Sequence, residues 1–178
     1  MSQKSKRLNK KFFERDAKEI ARELLGKRLV RLLPDGIKKE GIITETEAYV
    51  GVKDKASHAY GGRRTKRNEV MYGEAGKIYV YFTYGMHWML NFVVSDKDDP
   101  QAVLMRGLNV VSGPARLTKY LEIDKSFYGE DLTKSKRIWM EEAIKVKGSD
   151  IKSLPRVGVN YAGGWKNKKL RFLIESME

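Results

Sequence analysis

The segment from Lys77 to Val94 constrains this chain most, because it packs Tyr79, Tyr81, Phe82, Trp88 and Phe92 among Ile, Val, Leu and Met with one break at Tyr84-Gly85. Aromatic and β-branched residues at that density favour extended strands. A glycine at the break supplies the positive φ that a tight hairpin turn demands. The segment predicts two antiparallel strands with Tyr84 near their tip. It does not read as a membrane span, since His87 and Asn91 interrupt it and a spanning helix needs ~20 apolar residues.

The rest of the chain alternates helical and extended patterns consistent with one α+β domain over residues 11–178, preceded by a basic tail over residues 1–10. Phe13, Ala17, Ile20, Ala21, Leu24 and Leu25 recur at helical spacing, with Gly26 as terminator, so one amphipathic helix is expected over 12–25. Leu29–Leu33 and Ile37–Val50 read as strands joined by the turn residues Pro34-Asp35-Gly36. Residues 51–76 form a long irregular stretch of the kind compact domains reserve for binding or catalysis. Further on, Ala102–Leu108 is a strand candidate, and Ser112 is the expected N-cap of a helix entered through Pro114. A short helix is expected over 138–143, and strands over Arg156–Tyr161 and Leu170–Glu175.

Composition excludes several chemistries. The 178 residues include no cysteine, which rules out disulfides, thiolate metal sites and cysteine nucleophiles and suits a reducing compartment. His58 and His87 are the only histidines, so no cluster with metal-ligand spacing is expected. Thirty-six Lys and Arg against 23 Asp and Glu leave a net charge of +13, a surplus that suits a polyphosphate partner such as DNA or RNA. No apolar stretch follows the basic first ten residues, so an intracellular protein is expected.

Candidate chemistry gathers on three segments. Alternation along the second strand places Glu45, Glu47 and Tyr49 on one face and Thr44, Thr46, Ala48 and Val50 on the other. A carboxylate beside an aromatic ring leading into an irregular loop suits a general base. On their own, however, these carboxylates read more simply as exposed residues of an edge strand, and a carboxylate pair also suits a glycosidase. Arg63, Arg64, Lys66 and Arg67, with Thr65 and Asn68 among them, offer charge and donors to a nucleic-acid backbone. Tyr49, His58, Tyr79, Tyr81 and Tyr84 supply flat rings on which bases stack, although Tyr79 and Phe82 equally suit core filling.

In order along the chain, Glu45-Thr46-Glu47-Ala48-Tyr49, His58, Gly61-Gly62-Arg63, Thr65, Arg67, Asn68, Tyr79 through Met86 and Asn91 resemble the monofunctional alkyladenine (3-methyladenine) DNA glycosylases of the mammalian type. Val103–Arg106, Ser112-Gly113-Pro114, Arg156-Val157-Gly158-Val159 and Leu170-Arg171-Phe172 extend the similarity over nearly the whole chain from the first helix onward. Two positions depart from the family pattern: Lys66 replaces a proline, and the connection from Arg106 to Ser112 is shorter than in larger members.

The resemblance implies a single mixed domain with a curved antiparallel sheet, a protruding hairpin and surrounding helices. It implies no cofactor and no metal, and a monomer acting on double-stranded DNA that contains a damaged purine, in the cytoplasm or nucleoid of a prokaryote or the nucleus of a eukaryote. By the same resemblance Glu47 is the general base, and Tyr49 and His58 lie on one side of the flipped purine with Tyr81 on the other. Tyr84 inserts into the duplex with Met86 beside it. Asn91 crowds the exocyclic amine of guanine, Arg106 holds the flipped nucleotide, and Arg63, Thr65 and Arg67 face phosphates. The competing expectations are a non-catalytic RNA- or ribosome-binding module, which has no use for a carboxylate facing phosphate, and a hydrolase of free nucleosides, which has no use for a wedge.

Overall fold

The computed structural model describes residues 6–175. Nine strands among these residues form one open antiparallel sheet: β1 (Arg28–Leu32), β2 (Lys38–Tyr49), β3 (Ile78–Thr83), β4 (His87–Val94), β5 (Gln101–Leu108), β6 (Val111–Ser112), β7 (Ile138–Glu141), β8 (Ile151–Leu154) and β9 (Arg171–Ile174). The order runs β3-β4-β5-β2-β1-β7, with β6 on β5, and with β9 pairing β2 and carrying β8. The helices are α1 (Lys10–Phe13), α2 (Ala17–Glu23) and α3 (Pro114–Tyr120), so the domain is α+β as the sequence suggests.

The long strand β2 is the axis of the molecule. It pairs with β5 along one edge, and on the other with β1 through its first half and β9 through its second. It is therefore no edge strand, and the reading of Glu45 and Glu47 as exposed edge residues is overturned: Glu47 has 0% exposure. Helix α2 covers one face of β2. Its buried Ala17, Ile20 and Ala21 sit in the core with Ile43, Ala48, Val103, Met105 and Phe172, and the Thr46 hydroxyl donates to the Ala21 carbonyl at 2.7 Å. With Thr46 and Ala48 committed to that core, strand alternation turns Glu45, Glu47 and Tyr49 to the opposite face.

A paired irregularity sharpens this arrangement. Ile43 lies opposite Leu108, Glu45 opposite Gly107 and Thr46 opposite Met105, so Thr44 on β2 and Arg106 on β5 fall outside the regular register. Such bulges re-aim a side chain, and here Arg106 turns onto the Glu45/Glu47 face. Gly107 makes the close approach feasible, since a Cβ there would meet Thr44 Oγ1 at 2.9 Å.

Several local expectations are corrected. The single helix over 12–25 is two, because Asp16 takes an extended conformation and caps a new start, its side chain accepting from the Lys18 amide. Residues 138–141 are strand β7 rather than helix: Ile138 and Met140 bury alternately against β1. Arg156–Tyr161 is a loop, with Gly158 at φ 75°, and the strand that pairs with β9 is β8. Gly113, at φ 99°, occupies the N-cap of α3, while Ser112 pairs with Gly107 in β6. Of the expected tail, residues 1–5 lie outside the described residues. Arg7 and Leu8 dock on the domain, Arg7 donating to the carbonyls of Leu132 and Ser135 and Leu8 being buried.

Candidate active site

A cavity of about 300 Å³, at the lower end of the range for small-molecule sites, opens between β2, the 56–58 turn, the β3–β4 hairpin and the 157–161 loop. Glu47, Tyr49, His58, Arg67, Tyr81, Tyr84, Asn91 and Arg106 all line it. Of the other residues singled out from sequence, Glu45, Met86 and the loop residues Arg63, Arg64, Thr65, Lys66 and Asn68 do not line it.

Glu47 is the buried acid of this cavity. Its Oε2 accepts from the Val157 amide at 2.7 Å, and its Oε1 accepts from the Tyr49 hydroxyl at 3.2 Å, with Arg106 Nη1 at 3.6 Å. Burial raises its pKa above the usual carboxylate range, and Arg106, the Val157 amide, Tyr49 and Arg156 each pull it back. A carboxylate accepts about four hydrogen bonds, so this set leaves acceptor capacity on a side chain that lines the cavity with no exposed surface of its own. Arg106 is itself held by Glu45, whose Oε1 accepts from Arg106 Nε at 3.0 Å and from Arg171 Nη1 at 3.1 Å.

The rings belong to two packing clusters. Tyr49 packs with Ala56, Val159 and Ala162. Tyr81 packs with Ala59, Met71, Tyr72 and Tyr79, and His58 meets Tyr81 edge-on at 4.6 Å between ring centres. A base sandwiched between two rings needs them ~7 Å apart, twice the ~3.5 Å contact distance of carbon atoms. His58 and Tyr81 therefore cannot lie on the opposite faces of one base that the resemblance implies, and Tyr49, packed on a separate cluster, is the remaining ring of the three. His58 Nδ1 lies 2.8 Å from the Tyr79 hydroxyl. Burial, reinforced by Arg67 and Arg63, lowers its pKa to about 4, so the ring is neutral at pH 7. Burial raises the Tyr81 hydroxyl to about 12 and keeps it protonated.

Asn91 is a buried lining residue, its Nδ2 donating to the Tyr79 carbonyl at 3.2 Å. The hairpin tip leaves the body of the domain: Tyr84 is 86% and Met86 65% exposed. In the basic loop, Arg67 lies over the Tyr81 ring at 5.1 Å and donates to the Phe82 carbonyl, so it braces the wall as well as carrying charge. Thr65 is tied through its amide and hydroxyl to Asn68 Oδ1, and buried Asn68 ties back to the carbonyls of His58 and Arg63. Arg64 pairs with Glu69 and Asp98.

Sequence reasoning gives no role to two participants, Arg156 and the Val157 amide. A backbone donor leaves no residue-type signal. Arg156 stands within one of the matching motifs without an assigned role. Among the described residues no group of three or more His, Cys, Asp or Glu side chains could hold a metal ion, and no helix is long and apolar enough to cross a membrane.

A model of the methylpurine-DNA glycosylase family matches residues 11–113 and 109–178. A protein of Desulfitobacterium hafniense strain Y51, named "putative 3-methyladenine DNA glycosylase", is 40% identical, covering 97% of this chain and 97% of its own length. Proteins with the same name from Natranaerobius thermophilus, at 39% identity over 94% of this chain and 95% of its own, and from Clostridium botulinum strain Loch Maree, at 38% over 95% and 96%, are similar throughout.

Proposed function

The chain belongs to the methylpurine-DNA glycosylase family, and from that premise we propose that it removes alkylated or deaminated purines from duplex DNA by hydrolysis, leaving an abasic site. The observation that carries the reading is Glu47, a buried carboxylate with spare acceptor capacity, on a cavity lined by the rings of Tyr49, His58 and Tyr81.

A base inside a duplex exposes neither its faces nor its C1′ atom, so the nucleotide rotates out at a cost of a few kcal/mol, least for damaged pairs. Tyr84, at the exposed hairpin tip, fills the gap and keeps the helix from closing. The purine stacks between Tyr49 and the rings of His58 and Tyr81, and a cationic alkylated base gains further from the electron-rich tyrosine faces. Glu47 then takes a proton from a water whose oxygen bonds to C1′. The C1′–N9 bond breaks and its electron pair leaves with the purine: a positive alkylated base becomes neutral, whereas a neutral deaminated base leaves as an anion that takes up a proton from solvent. The carboxylate also opposes the positive charge that develops on the sugar. Asn91 crowds the exocyclic amine of guanine, Arg106 holds Glu47 and the nucleotide, and Arg63, Thr65 and Arg67 face the backbone. The single domain acts as a monomer inside the cell, where its substrate lies.

The test is base release from duplex DNA carrying 3-methyladenine, 7-methylguanine, hypoxanthine or ethenoadenine, with parent and Glu47→Gln proteins. The parent should release at least one lesion without cutting the strand. Glu47→Gln should lose roughly 10²–10⁴-fold in single-turnover rate, the usual span of general-base catalysis, while still binding the damaged duplex. Excision by that variant at the parent's rate removes Glu47 as the base. A parent that binds RNA and duplex DNA alike and releases nothing is a binding module instead.

A further inference from the structure

Behind the Tyr49 wall, Asp54 and Arg156 form an ion pair in which neither side chain has any exposed surface. Arg156 Nη1 donates to Asp54 Oδ2 at 2.6 Å and Nη2 donates to Oδ1 at 2.9 Å. Asp54 also accepts from the amides of Val50 and Ala56, both at 3.0 Å. Arg156 also donates to the Ala48 carbonyl at 3.0 Å, and its guanidinium lies 4.8 Å from the centre of the Tyr49 ring. One pair thus ties together the end of β2, the turn that follows it and the loop entering the cavity.

A fully buried ion pair gains little net stability, because desolvating both charges offsets their attraction. This one also leaves Arg156 Nε buried without a partner, a further cost that a purely stabilising contact has no reason to carry. What the pair does provide is position. The residue after Arg156 is Val157, whose amide holds Glu47 Oε2, and the ring under the guanidinium belongs to Tyr49, whose hydroxyl holds Oε1. Both hydrogen bonds that orient the carboxylate are therefore anchored through Arg156. The Val157 side chain is half exposed and Gly158 takes a positive φ, so this loop relies on the inward-facing Arg156 to keep its amide in register.

We propose that Asp54 and Arg156 are a positioning pair that aligns the Glu47 carboxylate and the Tyr49 ring for the reaction without touching the substrate. This rests on the reading of Glu47 as the base. Glu47 faces Arg106 from β5, Tyr49 from its own strand, Tyr81 from β3, and Arg156, the Val157 amide and Tyr161 from the last loop. Removing the Arg156 charge takes away one influence that favours the ionised form. Removing the Asp54 charge leaves Arg156 uncompensated and strengthens that influence.

The experiment measures single-turnover excision across pH 5–9 for parent, Arg156→Lys, Arg156→Gln and Asp54→Asn, per active site counted by stoichiometric binding of damaged duplex. Each variant should lose about ten- to a hundredfold in maximal rate, the scale of a small misplacement of a catalytic group, with its Kd for that duplex within a few-fold of the parent. The acid limb should move to higher pH in Arg156→Gln, to lower pH in Asp54→Asn, and stay in place in Arg156→Lys, which keeps the charge and loses the fork. If Arg156→Gln fails to fold, the other two variants decide. Maximal rates per active site within threefold of the parent in Arg156→Lys and Asp54→Asn, with limbs unmoved, reduce the pair to a structural contact and overturn the inference alone. A parent that releases no damaged purine from duplex overturns it together with the reading on which it rests.

Discussion

Tyr84 combines two demands that its replacement separates. The hairpin turn closes through the Met86 amide on the Thr83 carbonyl at 3.1 Å, and both central residues take positive φ, 53° at Tyr84 and 65° at Gly85. Gly85 adopts this freely, but Tyr84 in the left-handed region carries strain of ~1–3 kcal/mol. Tyr84→Gly removes the strain and returns ~0.5–1 kcal/mol through the freer unfolded chain. The net is a stabilisation of ~1 kcal/mol, or ~2–4 °C in Tm for a chain of this size. Tyr84→Ala keeps the φ and loses a side chain that is 86% exposed, so its stability should stay within ~0.5 kcal/mol of the parent. For DNA both variants lose the same ring, worth ~1–3 kcal/mol of stacking, or roughly 5- to 150-fold in Kd for a damaged duplex. Thermal melts by circular dichroism and anisotropy titrations with a labelled duplex read the two effects separately. A Tyr84→Gly protein that melts below Tyr84→Ala refutes the strain argument. Parent-like affinity in both variants refutes the wedge.

Three further outcomes follow from the site and the core. Glu47 has a raised pKa, so the folded state holds its proton at pH values where the unfolded chain has released it, and stability falls as pH rises from the ordinary carboxylate value through the raised one. Glu47→Gln should accordingly melt higher than the parent at pH 7.5, with the gap closing toward pH 4; an unchanged gap across that range contradicts the linkage. His58 titrates at about 4 against an ordinary 6.5, so its neutral form favours folding above pH 6.5 and this contribution is lost as pH falls through 4. Proton NMR of its ring should show no titration between pH 6 and 8, and a midpoint near 6.5 would place the ring in water. On β9, Phe172 is fully buried and packs in the core beneath β2, so Phe172→Ala should cost ~3–5 kcal/mol in a urea melt, and a loss below 1 kcal/mol would mean that β9 is not part of the cooperative unit.

What the sequence determined by itself is what depends on near neighbours along the chain. The aromatic run broken at Tyr84-Gly85 specifies the hairpin, because strand propensity and turn geometry act within a few residues. The alternation from Thr44 to Val50 puts Glu45, Glu47 and Tyr49 on one face, because the strand period is two. Tertiary structure alone decided what those side chains meet. Whether Glu47 is an exposed edge residue or a buried acid depends on β5 and β9 flanking β2, pairings that bring residue 47 beside residues 104 and 171. Which ring His58 meets depends on the 51–76 loop folding onto β3, where no local periodicity exists to be read. The turning of Arg106 onto the acid face comes from a register irregularity shared by two strands 61 residues apart in sequence at Glu45 and Arg106. The union of Asp54 with Arg156 spans 102 residues. Such contacts leave no periodic trace because their energy comes from partners that only the closed sheet brings together. Strand β7 shows the same limit at short range: its Ile138/Met140 alternation suits a strand, but only its place beside β1 made that the lower-energy choice over a helix.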